Sequence, residues 1–277
     1  MDEIHSVIEG NRRWIAGGVL VALLVWESLV PFFPFFVRHF RKRAIHFSWN
    51  ILLGVINAVI IGLLFVKAWS WATDFAAQHQ FGVLHWLGGE LPSWAIAVVA
   101  VLLFDFWTYW WHRLNHQVPF FWLFHKVHHS DPHMDVTTAN RFHFGEIILS
   151  SVLRVPVLIL IGADLWHLAL YEAVLFPIVQ FHHANISVGA RLDKLLRLFI
   201  ATPEMHKVHH SRYQPETDSN YTSLLSIWDR VFGSFRLRKN FGEISFGLDG
   251  LDAPEKQHMW GLLRTPLDRS RGDEWEE

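Results

Sequence analysis

Five long runs of apolar residues dominate the first two thirds of the chain. Three of them are about 20 residues long, enough to cross roughly 30 Å of hydrocarbon; they cover about 14–37, 47–68 and 93–112. Two further runs, about 146–162 and 164–184, are separated by Gly162-Ala163-Asp164. These two predict a tight helical hairpin that dips into the membrane without fully crossing it.

Lysine and arginine are distributed unevenly between these runs. Arg38, Arg41, Lys42 and Arg43 lie between the first two runs, whereas residues 68–92 contain no Lys or Arg. Because loops rich in Lys and Arg stay in the cytoplasm, the first loop is predicted to be cytoplasmic and the second extracytoplasmic. Continuing the count places residues 113–145 and everything after 185 in the cytoplasm.

The composition agrees with a membrane protein. Hydrophobic residues make up 51% of the chain and charged residues 18%, and Trp occurs 15 times; Trp collects at the membrane interface. The net charge of -2 gives no basic surface for nucleic acid. The chain has no Cys, which excludes disulfides, thiolate catalysis and iron–sulfur ligation. The N-terminus is acidic and lacks the basic region of a cleaved signal peptide, so we expect its first apolar run to be retained.

Ten of the 19 histidines fall into four groups, in the order HRLNH, HKVHH, HHAN and a second HKVHH. Their members are His112, His116, His125, His128, His129, His182, His183, His206, His209 and His210. On a helix, spacings of three and four place side chains on one face. Eight to ten imidazoles are too many for a single zinc ion with four ligands, but they suit two metal ions with five or six ligands each. Imidazole binds iron, zinc and copper alike, so the ligands alone do not identify the metal.

The four motifs, in this order and with apolar helices before and between them, resemble the fatty acid hydroxylase/sterol desaturase superfamily. Residues 100–236 carry the resemblance, which includes the stretches TTANRFHFGE and NYTSLLSIWDRVFGSF. The chain resembles the alkylglycerol monooxygenase-like and bacterial sterol desaturase-like branches more than the fatty acid 2-hydroxylases, because no haem domain is fused to it. The resemblance implies a non-haem di-iron centre, an all-helical membrane fold and the oxidation of an unactivated C–H bond with O2 as co-substrate.

We therefore predict an all-α protein, an integral membrane helical bundle with a cytoplasmic helical cap that carries a di-metal site. Residues 1–92 would form N-terminal membrane helices, residues 93–240 the catalytic domain, and residues 241–277 a C-terminal cytoplasmic segment with a frayed tail from Arg264. The resemblance implies that all ten grouped histidines are candidate ligands, with the choice between His182 and His183 open. His143 either supports the ligands or is an ordinary interfacial histidine near Arg141.

Two further residues of the third apolar run are candidates for a supporting catalytic role. Asp105 and Tyr109 share a helical face with His112 and His116. Ionisable residues inside a membrane helix are rare and usually functional, so Asp105 would orient a ligating histidine, directly or through Tyr109. The alternative is that Asp105 binds a neighbouring helix. Glu172 is similar, because it lies 11 residues, about three turns, before His183 and therefore on a similar face. Four other polar residues near the ligand groups carry no individual signal: Asn185, Asp218, Asn220 and Asp229.

The predicted partners are a lipid or sterol-like substrate and a separate reductase or electron carrier. The latter is needed because the chain has no GxGxxG motif, P-loop or Cys. A membrane metal transporter is one alternative, although transport sites lie near the bilayer midplane. A zinc-dependent membrane hydrolase is another, although the chain has no HExxH motif. Sterol, carotenoid, alkylglycerol, amino-lipid and fatty acyl substrates all remain open, as does hydroxylation against desaturation.

Overall fold

The structure is a computed structural model that describes residues 2–89 and 91–268, with the side chains of residues 2–13 left aside. The tail predicted from Arg264 is described only as far as Asp268. The described part is helical and has no strand beyond one isolated bridge between Ile200 and Leu225, which confirms the all-α prediction. The helices are α1 Asp2–Leu29, α2 Phe40–Leu64, α3 Val66–Gln78, α4 Val83–Leu87, α5 Ser93–Gln117, α6 Pro119–His129, α7 Phe144–Ile161, α8 Leu165–His183, α9 Ala190–Leu196, α10 Pro203–His209, α11 Gln214–Thr217, α12 Ile227–Val231 and α13 Met259–Arg264.

Three of these helices, α2, α5 and α7, are long and apolar enough to cross a membrane. The predicted span over 14–37 is wrong at its C-terminal end. Helix α1 ends at Leu29, and its apolar part, Trp14–Leu29, is shorter than the three spans. Pro31 and Pro34 follow, and because proline has no N–H to donate, it does not continue a helix.

Helices α7 and α8 are joined by the predicted short turn, but the predicted tight hairpin is wrong: the two helices diverge from the turn onward, α7 packs on α2 and α3, and α8 packs on α1 and α5. Gly162 ends α7 in the left-handed conformation, at φ 73°, where a side chain is strained. A Cβ at Gly82 would collide with the backbone of Gly162. The two glycines therefore let the loop after α3 pack closely on the turn between α7 and α8. Helix α7 differs from the prediction in a second respect, because it is itself long enough to cross a membrane.

The two ends of the bundle carry different parts of the chain. At one end, His46 near the start of α2 contacts both carboxylate oxygens of Asp131 at 2.9 Å, and Asn50 donates to Thr137 at 2.9 Å. These contacts place the start of α2 beside the segment that follows α6. Gly82 packs on Gly162 at the other end. The basic residues 38–43 thus lie at the end that holds α6, and the Lys/Arg-free loop lies at the opposite end.

The segment after residue 240 packs on the rest of the molecule. Gln257 accepts a hydrogen bond from Arg141 at 2.7 Å and donates one to the carbonyl of Ser130 at 2.9 Å. The ammonium group of Lys126 donates to the carbonyl of Asp268 at 2.7 Å. This segment therefore closes the outer side of the cap over α6.

Candidate metal centre

Nine buried histidines form two adjoining groups at the cap end of the bundle. In each group, one ring nitrogen of every member lies within 4.8 Å of those of all the others. The first group contains His112, His116, His125, His129 and His209, and the second contains His128, His183, His206 and His210. The structure thus brings together nine of the ten histidines predicted from the sequence.

The repeated HKVHH motif contributes to both groups. In α6, His125 and His129 are four residues apart and share the face that carries the first group. His128, one position before His129, belongs to the second group. In α10 and its C-cap, His206 and His210 belong to the second group and His209 to the first. Each helical turn with three histidines therefore contributes side chains to both groups.

Backbone carbonyls fix the protonated nitrogen of three histidines. The Nδ1 atoms of His112, His209 and His183 lie 2.7 Å from the carbonyl oxygens of Tyr221, Ser219 and Val179, respectively. A carbonyl can only accept, so Nδ1 must carry the proton in each ring. A neutral imidazole has one donor and one acceptor nitrogen. The Nε2 atoms of these three rings are therefore available as metal ligands.

Two of these lone pairs, those of His112 and His209, face each other. His112 and His209 approach with Nε2 atoms 3.0 Å apart, although each Nδ1 already carries the proton. His183 Nε2 also carries no proton and lies 3.1 Å from His128 Nε2 and 3.0 Å from His206 Nε2, two rings whose Nδ1 atoms have no partner among the described residues. Two acceptors at this distance repel each other unless a cation lies between them. A metal ion would supply that cation.

A proton is a poorer cation for this position. Burial lowers the pKa of the His209 imidazole to about 3, and burial together with neighbouring histidines lowers the pKa of His206 and His210 well below the ordinary value. In the first group, the Nε2 atoms of His116, His125 and His129 are buried and have no hydrogen-bond partner among the described residues. Buried polar atoms are normally paired, so the donor set fits metal ions.

Two carboxylates orient further histidines of the first group. Glu146, buried in the first turn of α7, lies 3.0 Å from Nδ1 of His125. Asp218, with 32% of its side chain exposed, lies 3.3 Å from Nδ1 of His116. Such partners hold the ring orientation of a ligand and raise its basicity. Asp218 is one of several polar residues near the ligand groups in the sequence, whereas Glu146, in the stretch TTANRFHFGE, was not predicted.

Glu146→Leu is expected to weaken metal binding by about 10–100-fold, the usual cost of losing such a partner. The leucine leaves Nδ1 of His125 buried without an acceptor, whereas Glu146→Gln keeps an amide oxygen there and should remain close to wild type. Competition with a chelator measures the affinity of both variants. A leucine variant that holds its metal as tightly as wild type would remove Glu146 from the site.

Asp105 and Tyr109 do not contact a histidine in the described structure. The Asp105 carboxylate accepts hydrogen bonds from Nε1 of Trp228 at 2.7 Å and the backbone N–H of Leu225 at 3.1 Å. The Tyr109 hydroxyl contacts Ser234 at 2.8 Å. The contacts of Asp105 thus match the alternative reading, in which it ties α5 to the segment after α11. The sequence could not decide this, because a helical face does not reveal which loop packs on it.

The remaining candidates also divide on geometry. His182 belongs to neither group, and the centre of its ring lies 3.9 Å from that of His206 with the two planes tilted by 35°; His183 is therefore the better ligand candidate of the pair. The His143 side chain accepts from the backbone N–H of Gly145 at 2.9 Å, which caps the start of α7. Glu172 pairs with Arg154 at 3.1 Å.

An apolar cavity of about 200 Å³ opens next to the histidines and extends between α5, α7 and α8. At one end it touches members of both groups. Its wall beyond them is mainly apolar and aromatic, and includes Trp107, Trp111, Phe142, Ile147, Leu175, Phe176 and Val179. A cavity of this kind accommodates a hydrocarbon chain beside the candidate metal centre.

Comparison with known proteins gives a consistent family. The sequence model for the fatty acid hydroxylase family matches residues 97–234. The chain is 29% identical to the ornithine lipid hydroxylase of Rhizobium tropici over 87% of its own length and 71% of that protein. It is 30% identical to human alkylglycerol monooxygenase over 56% of this chain and 33% of that protein, and 24% identical to human lathosterol oxidase over 84% and 75%. The chain thus spans about a third of the length of the alkylglycerol monooxygenase. No solved structure matches the chain.

Proposed function

Because residues 97–234 place this chain in the fatty acid hydroxylase family, we propose that it is an O2-dependent, non-haem di-iron oxidoreductase that hydroxylates or desaturates a membrane lipid or sterol-like substrate. The observation that carries the proposal is the pair of buried histidine groups, with lone pairs that face one another, at the end of an apolar cavity. The named relatives act on an ornithine lipid, an alkylglycerol and a sterol, which supports a lipid substrate here.

The proposal of two iron ions rests on the number of ligands. Five histidines in one group and four in the other exceed what a single zinc ion binds, and imidazole is a suitable ligand for iron. When bound, the iron ions supply the activation of molecular oxygen that C–H oxidation requires. The protein holds the ligands through Tyr221, Ser219, Glu146 and Asp218, so their ring orientation is set before the metal binds.

The cavity would position the substrate and exclude water. Trp107 and Trp111 on α5 and Phe176 on α8 surround it, so a lipid chain bound there displaces water from the region next to His112, His125 and His183. Binding of the chain would hold one C–H bond against the histidine end of the cavity. The contribution of the protein is thus the position of that bond and the dryness of the site.

We propose further that electrons come from a separate reductase or electron carrier. The chain has no Cys to bind an iron–sulfur cluster and no GxGxxG motif to bind a dinucleotide. A second protein would therefore reduce the iron centre from the outer side of the cap.

We also propose that the protein crosses the membrane several times with the histidine end in the cytoplasm. Position 42 should then react with a membrane-impermeant thiol reagent only after permeabilisation, whereas position 79 should react in intact cells. Single-cysteine variants Lys42→Cys and His79→Cys measure this on a background without native Cys. Both positions lie outside the histidine groups. The reverse labelling pattern would contradict the orientation.

Purified full-length protein tests the proposed activity. We expect two iron ions per chain and an oxidised lipid that forms only when O2 and a reductant are supplied. One zinc ion and hydrolysed lipid would instead identify a hydrolase, and metal flux in vesicles a transporter. A comparison of the lipids of a deletion strain with those of its parent would identify the substrate.

A further inference from the structure

The cavity is lined by one basic side chain that belongs to an ion pair. Arg154 on α7 is the one Lys or Arg among the described residues that line this cavity. Its Nη1 donates to Oε1 of Glu172 on α8 at 3.1 Å, and its guanidinium carbon lies 4.7 Å from the centre of the Trp69 ring. The side chains keep 27% and 17% of their surface exposed. The guanidinium is therefore held on two sides and still borders open space.

This position is costly for a charge. Helix α7 is one of the three helices long and apolar enough to cross a membrane, and Arg154 lies ten residues after its start. Charged residues inside membrane helices usually face a cavity and mark a functional site. A tie between α7 and α8 does not require charge, since apolar side chains of similar volume often serve as well as a buried ion pair.

We propose that Arg154, held by Glu172 and Trp69, binds an uncharged oxygen acceptor of the lipid substrate, such as an ester, amide or ether oxygen. A guanidinium has five N–H donors and no acceptor, and Glu172 is the one hydrogen-bond acceptor found for it among the described residues. Its ligand must therefore supply an acceptor. Glu172 already balances the charge, so a second anion would leave an uncompensated negative charge in a medium of low dielectric constant.

The position of this subsite specifies where the oxygen stands in the substrate. Glu146, which contacts His125, and Arg154 are both on α7 and eight residues apart, which corresponds to about 12 Å along the helix axis. The acceptor oxygen would thus lie about 12 Å from the histidine end of the cavity. This inference rests on the proposed function. It adds that the distance between Arg154 and the histidines determines how far from its polar group the lipid is oxidised.

Native mass spectrometry of the purified full-length protein can measure this binding without turnover. The probes are methyl hexadecanoate, which carries acceptors only, and nonadecane, an alkane with the same number of heavy atoms. Wild type should prefer the ester by about tenfold, as expected from one hydrogen bond to a charged donor. In Arg154→Leu/Glu172→Leu the preference should disappear. The control Arg238→Leu/Glu216→Leu removes an ion pair of 2.9 Å away from the cavity and should keep it.

Three results would overturn the inference. They are no ester preference in wild type, an undiminished preference in the leucine double variant, and tighter binding of hexadecyl phosphate than of the ester. If the leucine double variant does not fold, the exchange Arg154→Glu/Glu172→Arg decides. The exchange keeps an ion pair between the helices but places a carboxylate, which cannot donate, on the cavity. A subsite then loses the ester preference, whereas a mere helix tie leaves it unchanged.

The iron content of the same samples separates this inference from the proposed function. A protein that binds the ester selectively but holds no iron would refute the di-iron oxygenase and leave the subsite standing. A protein with two iron ions and no ester preference would refute the subsite and leave the di-iron oxygenase standing.

Discussion

His209→Ala is expected to abolish activity and to remove bound metal at the same time. The imidazole of His209 faces His112 at 3.0 Å with its lone pair, and no other described residue occupies that position. Loss of a partner that only orients a ligand costs about 10–100-fold, so loss of the ligand itself should cost at least about 100-fold. Metal analysis of the purified variant and single-turnover assays measure the two effects.

The same measurement distinguishes neighbouring histidines. His183→Ala should also lose metal, because its Nε2 faces His128 and His206, whereas His182→Ala should keep it, because His182 belongs to neither group. His133→Ala is a matched control outside both groups. Normal metal content and turnover in His209→Ala would contradict the ligand assignment. Loss of metal in His182→Ala but not in His183→Ala would reverse the choice between them.

Asp131→Ala is expected to lower the free energy of unfolding by about 3–5 kcal/mol, the cost of leaving a buried charged partner unpaired. The buried carboxylate contacts His46 through both oxygens at 2.9 Å and accepts from Thr138 at 2.8 Å. Burial raises the pKa of Asp131, but His46 and Arg141 together lower it by a larger amount, so the net shift of the pKa is downward. Its stabilising contribution is therefore complete at neutral pH and lost only in strong acid.

Unfolding in mixed micelles measures this loss, with Asp252→Ala as the matched control. Asp252 pairs with Arg212, but 39% of its side chain is exposed, and a surface pair contributes roughly 0–1 kcal/mol. We expect a much lower unfolding midpoint for Asp131→Ala and little change for Asp252→Ala. Equal midpoints in the two variants would show that the buried contact between His46, near the start of α2, and Asp131 does not stabilise the fold.

The sequence predicted the spans with different success. The apolar pattern located α5, α7 and α8 closely, because proline or glycine residues mark their ends: Pro92 precedes α5 and Gly162 ends α7. It failed for the first run, where apolar residues continue through Pro31 and Pro34 after the helix has ended at Leu29. Hydropathy reports the environment of a segment and not its backbone conformation. A continuous apolar run therefore does not show where a helix stops.

The residues that support the histidines were the least predictable part of the site. Asp105 has the helical spacing expected of a partner for His112, yet it accepts hydrogen bonds from Trp228 and Leu225. Glu146 lies 21 positions from His125 and still contacts it. Carbonyls of Tyr221, Ser219 and Val179 fix three of the rings, and a carbonyl has no sequence signature because every residue has one.

The sequence by itself determined the candidate ligands and the membrane helices. Spacings of three and four are set by the geometry of one helix, and long apolar runs by the thickness of the bilayer, so both are local properties. Only the tertiary structure divided the histidines into groups of five and four, separated His183 from His182 and placed Arg154 on the cavity. Each of these depends on how α5, α6, α7, α8 and α10 pack against one another. The distance between two helices is not encoded in the spacing of residues along either one.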